Sequence, residues 1–350
     1  MATEVFFGTN RNVKKRNQDQ APIGFGIELN NKKPLLHFGK ARISDSGKIV
    51  KEIHTSKGTS SEELCCSQDI FSEIEDRMCR SIDTIVFFHG FYNSFESSLI
   101  GAAELKLLYE KEGNREYTMI VLSWPSDGEL LFAYDDDRSD ARKSKKVLGA
   151  GLYKMSQFLI ELCWLKYSQK AISDTGRNKS VKKQNNTKCG RLHIMAHSMG
   201  NYVLRHVLQE LCKITGGKIP QLFDEILLIA ADEDEDSFEH KNKFKFLPEL
   251  AKRISVYFNQ SDIPLIISNL FMGNMDRLGS EGPRKPHKIP ANVSLINCKN
   301  VAEGLLEHDY YKTEQEVRRD ISYVLTGWKS TDIPGRVYFP KTNSYHLIDS

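Results

Sequence analysis

An α/β fold, with a mostly parallel central sheet, helices on both faces and extra N-terminal edge strands, is what this sequence predicts. Three observations carry that prediction. Short, near-continuous apolar runs recur from Asp83 onward, helical patterns fill the stretches between them, and the first 60 or so residues instead hold short strand-like runs among turn residues. Runs without polar alternation belong to strands buried on both faces, the condition of a parallel sheet covered by crossover helices.

The elements follow in order. Thr84–Phe88 reads as the first buried strand, a helix pattern runs from Ser94 to Glu110, and Thr118–Leu122 is a second strand. A long helix is expected over Ser139–Tyr167, then a strand at Leu192–Ala196 and a helix over Met199–Cys212. Further strands are Glu225–Ala230, Arg253–Phe258 and Val293–Ile296. A last helix is expected to start near Thr313, with Thr313 and Glu316 spaced as a capping box and Val317, Ile321, Val324 and Leu325 on one face. Val5–Gly8 and Leu35–Phe38 lie in the N-terminal edge region (residues 1–60), Ser173–Gly190 reads as a mobile polar loop, and residues 330–350 read as a C-terminal tail.

The chain has 350 residues, 40% of them hydrophobic, enough to bury the core of a single domain over residues 1–350. A formal net charge of +3 without a basic stripe indicates no nucleic-acid partner. Seven cysteines, an odd number with no CxxC pair, argue against a disulfide framework or a zinc site and for free thiols in a reducing compartment. The N-terminus lacks the pattern of a secretory signal, and no run reaches the ~18–20 apolar residues of a membrane helix. A cytoplasmic protein is the expectation; protein partners are not legible.

The chemistry concentrates at Ala196-His197-Ser198-Met199-Gly200. It has the form of the G-x-S-x-G nucleophile elbow, with Ala in the first position, and it stands between an expected strand and an expected helix. Small residues two before and two after the Ser let strand and helix pass closely. The alternative is an ordinary strand-to-helix turn in which Ser198 merely caps the helix. His89-Gly90-Phe91 follows the first buried strand. In an α/β-hydrolase fold that loop supplies one backbone amide of the oxyanion hole and the residue after the nucleophile supplies the other, which assigns Phe91 and Met199. Acid and base then follow in the order Ser, Asp, His, giving Asp262 and His308. Asp232 competes as the acid, though it sits in an acidic run, and Asp262 has the alternative of capping the helix after it. His287 and His346 compete weakly with His308. His89, Tyr92 and Trp124 are candidates to contact substrate, with core packing as the alternative for the aromatics.

With these segments assembled, the chain resembles a mostly bacterial family of α/β hydrolases of unknown function. The resemblance rests on Val5–Arg11, Phe87–Glu96, Ser123-Trp124-Pro125-Ser126, Ala196–Asn201, Ala230-Ala231-Asp232 and His308-Asp309-Tyr310-Tyr311. It implies Ser198, Asp262 and His308 as a triad, an esterase- or lipase-like activity and no cofactor. The substrate expected is a small-molecule or lipid ester cleaved through a Ser198 acyl-enzyme. A lipase or phospholipase on membrane lipid, or a non-catalytic binding protein on the same fold, are the alternatives.

Overall fold

The computed structural model describes residues 2–30, 35–44, 50–55, 68–126, 134–175, 189–265, 276–302 and 308–349, with backbone alone at 68 and 162–175. The polar loop expected over 173–190 lies largely outside the described residues.

Every apolar run named from Asp83 onward falls on a strand, and Val5–Gly8 does too, whereas of Leu35–Phe38 only His37 and Phe38 belong to a strand. β1 (Thr3–Thr9), β2 (Arg11–Arg16), β3 (Pro22–Leu29), β4 (His37–Ile43) and β5 (Val50–Thr55) come first. β6 (Asp83–Phe88), β7 (Tyr117–Ser123), β8 (Leu192–His197), β9 (Phe223–Ile229), β10 (Ala251–Phe258) and β11 (Val293–Asn297) follow, and β12 (Arg336–Phe339) and β13 (Ser344–Leu347) end the chain. Eleven of them form one sheet in the order β12-β13-β11-β10-β9-β8-β6-β7-β1-β4-β5. β11 through β1 run parallel, and β4 and β5 add antiparallel strands at one edge. The N-terminal strands thus extend the sheet as expected, except that β1 is an interior strand pairing parallel with β7, and β2 and β3 form a separate hairpin.

Alternation along the buried strands divides the core. Val86 and Phe88 of β6 and Ile194 and Ala196 of β8 pack with α1 (Gln68–Cys79), α3 (Tyr134–Thr175) and α4 (Met199–Ile214). Ile85, Phe87 and Met195 face the other side, against α2 (Phe95–Gly113) and the Gln315–Leu325 helix. Both faces are therefore dry, which is why these strands read as continuous apolar runs. Ser94 caps α2 by accepting the Ser97 amide.

Four expectations are corrected. Residues 330–350 are no tail: β12 and β13 join the sheet, and Arg336 clamps the hairpin to Asp320 of the last helix through two bonds of 2.6 and 2.7 Å. The last helix has no Thr313 capping box; Thr313 ends a short turn of helix, Tyr310–Thr313, and its hydroxyl bonds back to the Asp309 carbonyl while Glu314 stands at the N-cap. The long helix starts five residues early, at Tyr134, because Asp135, Asp136 and Asp137 place negative charge in its first turn. Cys189 is held in a disulfide, although Cys212 and Cys298 are free thiols; spacing along a chain does not report which thiols meet in space.

Candidate active site

The winding of the chain reverses between β6 and β8, which are neighbours: from β6 the sheet grows through β7 to one side, and from β8 through β9, β10 and β11 to the other. Crevices form beyond the carboxyl ends of parallel strands at such a switch point. Ser198 follows β8 and His89-Gly90-Phe91 follows β6, so both stand at its rim.

Ser198 adopts φ 53°, ψ −126° and makes no side-chain capping bond to α4. A non-glycine residue there is strained and held by its surroundings. Its amide donates to the Ile229 carbonyl at 3.0 Å, and its own carbonyl accepts from the Asp232 amide at 3.2 Å. The fully buried Asn201 completes the clamp, its Nδ2 lying 3.1, 3.0 and 3.2 Å from the carbonyls of Ala196, Ser198 and Ile229. Gly200 is obligatory, since a Cβ there would stand 2.3 Å from the Phe88 carbonyl oxygen. The helix-capping alternative for Ser198 is thereby removed, and the residue lines a cavity of about 460 Å³.

His308 lines the same cavity. Its Nδ1 donates to Asp262, 2.8 Å from Oδ2 and 3.0 Å from Oδ1, which leaves Nε2 as the acceptor nitrogen. Asp262 is fully buried and also caps the turn after β10, its Oδ1 accepting the Leu265 amide at 3.2 Å, so both readings of that residue hold at once. Burial pushes the His308 imidazole down, but the Asp262 carboxylate, by charge and hydrogen bond, and then Asp309 and Asp232 outweigh it, and the net shift is upward. No hydrogen bond joins Ser198 to His308 among the described residues.

The competitors fall elsewhere. Asp232 touches the cavity, but its carboxylate accepts from Tyr134 at 2.6 Å and pairs with Arg138 at 3.8 Å and Arg277 at 3.5 Å. His287 is exposed and bonds the Lys341 carbonyl, and His346 sits on β13 against Phe339. Of the expected substrate contacts, Tyr92 is half exposed at the rim with φ 63°. His89 lines the cavity, yet its Nδ1 donates to the Gly90 carbonyl at 2.9 Å, and burial, then the positive charge of Arg11, pushes its imidazole down to about 3. Trp124 does not line the cavity: it is fully buried, stacked on His89 with its Nε1 donating to the His89 carbonyl at 2.9 Å. Its size and apolarity favour the core, and that role displaces the expected substrate contact.

Sequence reasoning passed over His197, Asn201 and Asn93. His197 sits tilted against His308 at 4.7 Å between ring centroids and donates Nε2–H to the His308 carbonyl at 3.1 Å. All three stand inside the quoted segments, but nothing in their spacing says which backbone atoms they bind.

Residues 67–158 and 164–326 match the family described as alpha/beta hydrolase of unknown function (DUF900). The chain belongs to that family. It is an α/β hydrolase, and the match runs from α1 to the last helix, leaving β1–β5 and the β12–β13 hairpin outside it. No curated protein matches the chain. Solved structures similar to it include carboxyl esterase 2 from the mycorrhizal fungus Tuber melanosporum, 9% identical with a TM-score of 0.36 over 92% of this chain and 89% of that one. A hyperthermophilic esterase from the archaeon Pyrobaculum calidifontis is 10% identical with a TM-score of 0.34, over 85% of this chain and 80% of that one. A hormone-sensitive lipase from a metagenome library is 12% identical with a TM-score of 0.34, over 90% of this chain and 88% of that one. Among the described residues, no helix is long and apolar enough to cross a membrane.

Proposed function

We propose that this hydrolase cleaves a carboxylic ester through a Ser198 acyl-enzyme, with His308 as general base and Asp262 as its orienting acid. The observation that carries the reading is the meeting, in one cavity, of an uncapped serine on a strained elbow and an imidazole whose far nitrogen is locked onto a buried carboxylate. His308 Nε2 takes the Ser198 proton as Oγ attacks the acyl carbon, and returns it to the leaving alcohol. Water, deprotonated by the same nitrogen, then releases the acid. Asp262 keeps Nδ1 protonated and stabilises the imidazolium that forms. The amide of Met199, first in α4 and so without an intrahelical partner, and that of Phe91 are the donors to the oxygen as it gains charge. Serine–histidine bonds of this kind often close only with substrate in place. Phe87, Phe91, Pro264, Leu265 and Tyr311 make the cavity walls mainly apolar, which suits an acyl chain.

The test pairs a fluorophosphonate probe with nitrophenyl esters of graded chain length and, alongside, phospholipid vesicles. Wild type is expected to be labelled at Ser198 and to turn over the soluble esters, and Ser198→Ala to do neither while melting at an unchanged temperature. Labelling that survives Ser198→Ala would sink the assignment, and turnover confined to vesicles would move the substrate to membrane lipid.

A further inference from the structure

The loop after β6 carries the Phe91 amide, and its shape is set by contacts that no catalytic step uses. Tyr92, with φ 63°, holds a backbone conformation that a tyrosine rarely adopts unaided. Asn93 holds it, sharing the Gly90 carbonyl with His89 Nδ1 and, alone among the described residues, reaching on to the Phe91 carbonyl. Its Nδ2 donates to the Gly90 carbonyl at 3.2 Å and to the Phe91 carbonyl at 2.9 Å. A trans peptide unit is planar, with C=O and N–H pointing opposite ways. Fixing the Gly90 carbonyl therefore aims the Phe91 N–H away from Asn93, and fixing the Phe91 carbonyl does the same for Tyr92.

Asn93 is in turn gripped from behind. Its carbonyl accepts from Arg11 Nη2 at 2.6 Å, and its amide donates to Ser126 Oγ at 3.3 Å. The Ser126 hydroxyl is itself engaged by Asp137. Arg11 is fully buried and spreads its other donors over Ser123 Oγ at 3.1 Å, the Gly26 carbonyl at 3.2 Å and the Ser126 carbonyl at 3.4 Å. A planar guanidinium with this many fixed acceptors behaves as a rigid bracket, which a lysine ammonium cannot reproduce. It ties the N-terminal strands and the end of β7 to the loop at the rim of the cavity.

We infer that Asn93, braced by Arg11, is a positioning residue that aims the Phe91 amide at the oxyanion. The inference rests on the proposed acyl-enzyme reading. It also gives the N-terminal segment, which lies outside the family match, a part in the chemistry.

The test uses the full chain and a soluble nitrophenyl ester. Asn93→Ala and the near-isosteric Asn93→Asp are both expected to lose about 10²-fold in kcat, as on loss of one oxyanion donor, with KM within about twofold of wild type. Affinity for an aryl trifluoromethyl ketone should fall by a matching factor, because Ser198 Oγ adds to its carbonyl carbon, the proton passes to His308, and the resulting oxyanion sits in the same place. In Asn93→Ala the acid limb of the pH profile should not move, since no charge near His308 changes; in Asn93→Asp the added carboxylate can only move it upward. Arg11→Lys should show the same kcat-only loss, smaller in size, if it folds; the Asn93 pair decides the matter if it does not. Asn93→Asp with wild-type kcat, or a loss that follows only the folded fraction or only KM, overturns the inference while leaving the acyl-enzyme reading intact. A wild type inert to fluorophosphonate and to every ester overturns both.

Discussion

At the scale of single residues, Asp262 and Asp232 offer a direct comparison. Both are buried carboxylates near the cavity, yet one accepts from an imidazole and the other is enclosed by two guanidiniums and a phenol. Asp262→Asn is expected to cut kcat by at least ~10²-fold, because the amide no longer fixes the tautomer of His308. Asp232→Asn should keep turnover per folded molecule but lower stability by about 3 kcal/mol, since Arg138 and Arg277 lose a buried counter-charge. Kinetics normalised to active-site titre, beside urea titrations, separate the two, and a crippled Asp232→Asn with an intact Asp262→Asn would reverse the assignment. The pH profile belongs to this scale as well. His308 must be neutral to accept a proton, and its net shift is upward, so kcat/KM should fall on the acid side through a midpoint above ~6.5, the ordinary value. A midpoint below that value would mean that burial wins over Asp262. The positions of the proposed triad were legible because Ser198 and Asp262 closely follow apolar strands and His308 comes after the last of them, in the order Ser, Asp, His. Asn93, Asn201 and Arg11 were not, because their partners are backbone carbonyls, which look alike in every sequence.

At the scale of elements, the buried strands declared themselves through unbroken apolar runs, whereas β12 and β13 did not. They are four residues each, β12 largely exposed and β13 paired with β11, and they are clamped by the Arg336–Asp320 pair, which no local pattern announces. Helix α2 shows a different compromise. Gly101 stands inside it, where glycine costs roughly 0.5–1 kcal/mol relative to alanine. A Cβ there would meet nothing within 4 Å, and Gly101 lines the cavity one turn beyond Ser98 on the same face. The space above it is thus room in the cavity rather than a packing requirement. Gly101→Ala is expected to raise the melting temperature by a few degrees. Gly101→Leu should fill the cavity from the α2 side and shift the ester preference towards acetyl, cutting kcat/KM for octanoyl esters at least tenfold while sparing acetyl turnover. A chain-length profile identical to wild type would show that the acyl group does not lie along α2.

At the scale of the whole molecule, the fold buries imidazoles on many elements. His37 of β4, His89 after β6 and His206 of α4 are all nearly inaccessible, as are His193 and His197 of β8. Burial, with Arg16 near the first and Arg205 near the second, pushes His37 and His206 down to about 4, and burial with Arg11 pushes His89 to about 3. His193 and His197 shift the same way, each chiefly through burial. For groups depressed in the folded state, the unfolded chain binds the extra protons, so stability is intact above ~6.5 and drains away as the pH falls towards the folded values. Between pH ~7.5 and ~5.5 each such histidine costs roughly 1.4 kcal/mol, so His37, His89 and His206 alone remove about 4 kcal/mol together. That is a large part of an ordinary domain's ~5–15 kcal/mol. His308 runs the other way: raised in the fold, its contribution is present below ~6.5 and lost as the pH rises through its folded value. Glu225, pushed up to about 7 chiefly by burial, opposes the depressed histidines as well, and Glu233 and Glu235 shift upward in the same way; these groups offset part of the loss without cancelling several histidines. Urea unfolding at pH 7.5, 6.5 and 5.5 should therefore show a steep fall in stability with proton uptake on unfolding, and His206→Gln should flatten that dependence by roughly 1.4 kcal/mol over the same range. Activity brings a kinetic distinction, because on the proposed mechanism protonation of His308 should silence turnover at once and reversibly, whereas acid unfolding develops over time and follows the loss of far-UV signal. A stability that stays flat from pH 7.5 to 5.5 would mean that the buried imidazoles keep their protons in the fold, and the acid limb of activity would then belong to His308 alone.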